Sequence, residues 1–149
     1  MILTPHILIG IAIGVKIQNP WLGFFAGLAS HLILDAIPHN EYGQKDTGKK
    51  IKEMNLSTIL KALLDISIGL GLVYFIYTIK SFVINPWAIT GAVLPDIISV
   101  LSWQFPNKFF TILNKFHSFH AKKFDGKFGI VTQIIISVIV LFTLFASGR

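Results

Sequence analysis

The stretch Ser30-His31-Leu32-Ile33-Leu34-Asp35-Ala36-Ile37-Pro38-His39 closes a long apolar run that begins at Trp21. Wound as a helix, it stacks His31, Asp35 and His39 on one face, four residues and about 6 Å of rise apart. A carboxylate in hydrocarbon is costly and is rarely found there without an ionisable partner or a metal. Asp65 and Asp96 stand in equally apolar surroundings, so three of the seven acidic residues lie where a charge is least stable.

The rest of the chain says what kind of medium surrounds them. Apolar residues make up 53% of the 149 residues and the mean hydropathy is +0.68, too high for a soluble domain of this size. Apolar windows long enough to cross a bilayer recur, and stretches such as 67–79 and 130–146 lack a polar helix face. The expected fold is an all-α integral membrane bundle, a single domain over residues 1–149. It has about five transmembrane helices plus one amphipathic interfacial helix. The chain has no cysteine, which excludes disulfides and thiolate metal sites and leaves a transition metal to His, Asp and Glu. The net charge of +6 comes from lysines in the connections. That pattern suits membrane orientation and anionic headgroups, with no nucleic acid as partner.

Thr4-Pro5 reads as an N-cap and first-turn proline opening a short helix to about residue 17. It has no basic leader or small-residue cleavage site, so it is expected to be retained. Asn19-Pro20-Trp21 restarts a helix running to about Pro38, and residues 39–56 are a polar, lysine-rich loop. A long helix follows to about residue 79. Asn85-Pro86-Trp87 opens the next, to about Gln104. Pro106 starts the amphipathic segment 106–125, and residues 128–146 form the last span. A possible parallel repeat pairs 6–14 with 65–72, each followed by an Asn-Pro-Trp start.

If each apolar helix crosses once, the loop and residues 106–127 share a side and together hold nine lysines. Lys16, Lys80 and Arg149 are left for the other. The positive-inside rule makes the nine-lysine side, with the N-terminus, cytoplasmic in a cell (inner) membrane. His6, His31, Asp35, His39, Asp65, Asp96, His117 and His120 then all fall in the cytoplasmic leaflet. They are the expected metal ligands. Lys61 offers Asp65 an i, i+4 ion pair as an alternative, and His117 with His120, at i, i+3, could hold one ion or sit among headgroups. This thiol-free set of imidazoles and carboxylates suits zinc or another divalent transition metal, one or two ions. Such a centre activates water and clamps a phosphoryl group, with Asp65 or Asp96 as general base. The expected activity is hydrolysis of a phosphoester in an anionic lipid or amphiphile that reaches the site from the bilayer. The rivals are a metal-ion or proton transporter, and a membrane protein whose polar cluster only joins helices.

His31-xxx-Asp35-xx-Pro38-His39 resembles the ligand helix of the zinc-dependent phospholipase C and single-strand nuclease superfamily. Thr4-Pro5-His6, Leu94-Pro95-Asp96-Ile97 and the pair His117 and His120 resemble motifs of the bacterial inner-membrane metal-dependent hydrolases of the LexA-regulated type. The resemblance implies ligand roles for His31, Asp35 and Asp96.

Overall fold

The structure is a computed structural model that describes residues 2–41, 46–120 and 127–146, the side chains of 119, 120 and 127 excepted. Among these residues lie six α-helices: α1 (Leu3–Lys16), α2 (Pro20–Asp35), α3 (Leu56–Lys80), α4 (Pro86–Gln104), α5 (Lys108–His120) and α6 (Lys127–Ala146). A short 3₁₀ turn at Ile51–Glu53 precedes α3. The all-helical expectation holds. Of the five expected crossings, α3, α4 and the Phe128–Ala146 part of α6 are long and apolar enough to cross a membrane. At 14 and 16 residues, α1 and α2 fall short of the roughly 20 that a full crossing takes.

The starts of α2, α4 and α5 follow from local chemistry, and those of α1 and α3 draw on more distant side chains. Asn19 Oδ1 accepts from Leu22 N at 3.0 Å, and Asn85 Oδ1 accepts from Trp87 N at 3.1 Å. Each cap is followed by a proline, placed where a missing N–H costs nothing. The start of α1 is different. Thr4 is already inside the helix, and the cap comes from α3: Asp65 accepts from Leu3 N at 2.6 Å, Thr4 N at 3.3 Å and the Thr4 hydroxyl at 2.5 Å. Asp46 anchors the segment that leads into α3. It accepts from Asn55 N at 3.1 Å, Thr58 Oγ1 at 2.6 Å and Lys49 Nζ at 2.8 Å. These bonds, led by that from Lys49, hold its carboxyl well below the usual carboxylate range. The start of α5 also lies slightly later than Pro106 suggested, because Asn107 Oδ1 takes the Phe110 N–H at 2.9 Å.

α1 is the central element. It packs against α2, α3, α4 and α6, while α2 packs most extensively on α4. Ile7, Leu8, Ile11, Ile76, Val140 and Leu144 form the buried core where α1, α3 and α6 meet. The α2–α4 contact is a backbone-to-backbone approach through glycine. A Cβ on Gly27 would collide with the Ala88 carbonyl, and one on Gly91 with that of Phe24. Small residues permit such close crossings when no hydrophobic force drives helices together. The two contacts are reciprocal, as the repeated Asn-Pro-Trp starts suggest. By contrast, α3 and α6 leave large apolar side chains outward, such as Leu64, Leu70, Phe142 and Val138.

Gly91→Ala is expected to lower the unfolding temperature of the detergent-purified protein, by the equivalent of about 1–3 kcal/mol of overpacking. Gly71→Ala, where an added Cβ meets nothing within 4 Å, should leave it unchanged or slightly raised. Asp46→Ala should also destabilise. Because the folded pKa is depressed, the contribution of Asp46 is complete above its unfolded value near ~4 and is lost as pH falls through the folded one. Unfolding curves of wild type and Asp46→Ala should therefore differ at pH 7 and converge only in strong acid.

Candidate metal centre

α2 ends at Asp35, three residues earlier than its apolar pattern suggests. Pro38 disfavours helical backbone in the residue before it, and the chain turns at Ala36 and Ile37. His39 is thus off the helix, and the helical i, i+4 stacking expected of it does not occur. The turn nevertheless brings it back to the same place. His39 Nε2 lies 3.9 Å from Asp35 Oδ1. His31, within α2, keeps the helical spacing and puts its Nε2 3.2 Å from Asp35 Oδ2.

The other members arrive from α1, α4 and α5. His6, in the first turn of α1, stacks on His31 with ring centroids 4.0 Å apart and places Nε2 3.2 Å from Asp35 Oδ1. His117 of α5 puts its Nε2 2.8 Å from Asp35 Oδ2 and 3.0 Å from His31 Nε2. Asp96 of α4 places Oδ1 3.9 Å from the Nε2 atoms of both His31 and His117. Asp35, His6, His31 and His39 are fully buried, whereas the Asp96 side chain is 27% exposed.

The far side of each ring is anchored. His31 Nδ1–H donates to the Ala92 carbonyl at 2.6 Å, in the stretch of α4 that Pro95 interrupts. His39 Nδ1–H donates to the Ile37 carbonyl at 2.8 Å. A carbonyl can only accept, so in the neutral rings Nε2 carries the lone pair. His117 Nδ1 lies 2.9 Å from Ser99 Oγ, whose hydroxyl also reaches Pro95 O at 3.0 Å and Asn114 Oδ1 at 2.8 Å. With its one proton on either oxygen, Ser99 accepts from Nδ1–H and leaves His117 Nε2 a ligand as well. Imidazoles that hold metals are oriented in this way by a hydrogen bond to the second nitrogen.

His31, Asp35, Asp96 and His117 therefore form a group able to hold a metal ion, their ligand atoms all within 4.8 Å of one another. A tetrahedral ion bound at about 2.0–2.1 Å has ligand–ligand edges of roughly 3.3–3.4 Å. The separations that involve an imidazole nitrogen run from 2.8 to 3.9 Å and bracket that value. The donor set of two imidazoles and two carboxylates fits zinc and other borderline divalent ions.

Asp65 does not join this group, because both of its oxygens cap α1. Its burial is explained by the helix start, and the Lys61 pairing is not needed to account for it. His120 ends α5, and its side chain lies outside those described. Glu41, two residues past His39, also reaches the cluster: its Oε1 stands 3.6 Å from His39 Nε2. Ser99 and Asn114 are the residues that sequence reasoning passed over. A serine one turn beyond Asp96 in an apolar helix was the only signal for the first, and none marked the second.

Asp35→Asn is expected to abolish stoichiometric metal binding, read by elemental analysis of the purified protein, while the chain stays inserted and helical. Ser99→Ala should weaken metal affinity by about 10-fold or more, as titration against a chelator would show. Undiminished metal in Asp35→Asn, together with a marked loss of stability, would instead make the cluster a structural ion-pair network. No family model, curated protein or solved structure matches the chain.

Proposed function

We propose that the protein is a metal-dependent hydrolase of the cytoplasmic membrane that cleaves a phosphoester in an anionic lipid or amphiphile. The observation that carries this reading is a cavity of about 410 Å³ bordered by α3, α4 and α5. Its lining includes Glu41, Asp96 and His117 and is otherwise mostly apolar, with Ile66, Val100 and Trp103 among it. α3 and α4 both pack on α1 but not along one another, which supports access from the side. A pocket of this size and character suits a mostly apolar ligand with a few polar contacts.

In this reading α1, α2, α3, α4 and α6 make the five crossings, with α1 and α2 in a locally thinned bilayer. α5 lies in the interface, as supported by the exposed stripe Phe109, Ile112 and Phe116. Lys49, Lys50, Lys52, Lys108 and Lys115 face the cytoplasm and attract the anionic head.

His31, Asp35 and His117 would hold a zinc-type ion, which would supply Lewis acidity and lower the pKa of bound water, with Asp96 beside it. Of the three intramembrane carboxylates, Asp96 alone lines the cavity. It is also the member standing farthest from the imidazole nitrogens, so it is placed to take the proton of an attacking water. The opposite end of the bundle is tied by Asn85, which donates to Ile17 O at 2.9 Å and Asn19 O at 3.0 Å. That tie favours a one-sided site over a transport pathway.

The test is turnover by the purified, zinc-loaded protein of a chromogenic phosphodiester with a long alkyl chain, beside a short-chain analogue. The long-chain substrate should be preferred, and Val100→Trp should raise its KM alone. Asp96→Asn should lower kcat by about 10²-fold or more. Failure to turn over any phosphoester with metal bound would reject the reading.

A further inference from the structure

Asp35 presents its two oxygens to two different sets of groups. Oδ2 faces His31 and His117, the set described above, whereas Oδ1 faces His6 at 3.2 Å and His39 at 3.9 Å. The second set has no explanation in a one-ion centre. Both rings are fully buried, and neither nitrogen of His6, nor Nε2 of His39, makes a hydrogen bond among the described residues. Buried polar nitrogens are almost always paired, and leaving them bare is costly.

His39 narrows what the missing partner can be. Its Nδ1–H is committed to the Ile37 carbonyl, so in the neutral ring the lone pair on Nε2 points among carboxylate oxygens, Glu41 Oε1 at 3.6 Å and Asp35 Oδ1 at 3.9 Å. Those separations are too long for hydrogen bonds. They are close to the ligand–ligand edges of a bound divalent ion, roughly 3.3–3.4 Å for a tetrahedral one.

α6 holds this second set in place through polar residues that the hydrolase reading does not otherwise use. Thr132 Oγ1 donates to the Pro38 carbonyl at 2.8 Å, and the buried Gln133 donates through Nε2 to the Asn40 carbonyl at 2.7 Å. The backbone is thereby clamped on both sides of His39. A glutamine inside the most apolar helix of the chain is otherwise hard to account for. His6 is fixed from the other direction by the Asp65 cap on α1 and by its stack on His31.

We propose that Asp35 bridges two divalent cations, the second held on Oδ1 by His6, His39 and Glu41. The donors are imidazole and carboxylate, so the class is zinc, manganese or a similar borderline ion. Thr132 and Gln133 are positioning residues for His39. The inference rests on the reading of the Oδ2 set as a metal site, and the experiment separates the two.

The detergent-purified protein is stripped with chelator, dialysed against Zn²⁺ or Mn²⁺ and assayed for bound metal per chain. Two equivalents are expected in wild type. One should remain in His39→Gln and in Glu41→Gln, the latter a partly exposed position where misfolding is not a concern. His117→Gln should also retain one. The manganese form of wild type should show the spin-coupled resonance of two neighbouring ions, and Glu41→Gln should show that of an isolated ion. One equivalent in wild type, unchanged in His39→Gln and Glu41→Gln, would overturn the second site and leave the hydrolase reading standing. No metal in any of them would overturn both.

Discussion

A carboxylate with no access to water is the constraint around which this bundle is arranged. Asp35 sits at the end of a helix among apolar segments, and transfer of its charge from water costs several kcal/mol unless partners replace the lost hydration. Four imidazoles, from α1, α2, α5 and the turn after α2, converge on its two oxygens. Each is held by a further contact, whether the stack on His31, a backbone carbonyl or Ser99. Removing any of these partners leaves charge or lone pairs uncompensated in a region that cannot admit solvent cheaply. The same condition makes the place attractive to a cation.

The helix packing supplies the geometry that this arrangement needs. α2 and α4 approach to backbone contact at Gly27 and Gly91, which sets the Ala92 carbonyl within reach of His31. α1 lies against both and carries His6 into the cluster from the far side. Because α1 also separates α3 from α4, the space between those two is left open as a cavity that ends on Asp96 and His117. Close packing on one side and a gap on the other thus come from a single element. The apolar surfaces turned outward on α3 and α6 are what a hydrocarbon surrounding accommodates without cost.

Polar residues in such a surrounding have two very different fates, and this chain contains both. Asp65 and Asp35 look alike in sequence, each an acid set in an apolar helical run. Asp65 ends up satisfying the unpaired N–H groups at the start of α1 and the Thr4 hydroxyl beside them. Asp35 instead meets imidazole nitrogens. The nature of the facing atoms, and not the burial of the acid, separates a structural carboxylate from a candidate ligand. Asp46 repeats the first pattern in the loop, where it anchors the start of α3.

What the sequence determined by itself is everything that acts within a few residues. Apolar periodicity and composition gave the helical class, the Asn-Pro-Trp stretches gave two helix starts, and the four-residue spacing paired His31 with Asp35. The absence of cysteine restricted the ligand chemistry. Each of these follows from covalent geometry and local capping, which need no knowledge of distant segments. The tertiary structure alone decided which acid meets which base: His117 reaches Asp35 across 82 positions, Asp65 closes α1 across more than 60, and His39 arrives through a turn instead of a helix. Those pairings depend on how rigid helices cross, and the crossings are set by steric fit between whole faces, such as glycine against carbonyl. No short stretch of residues contains that information.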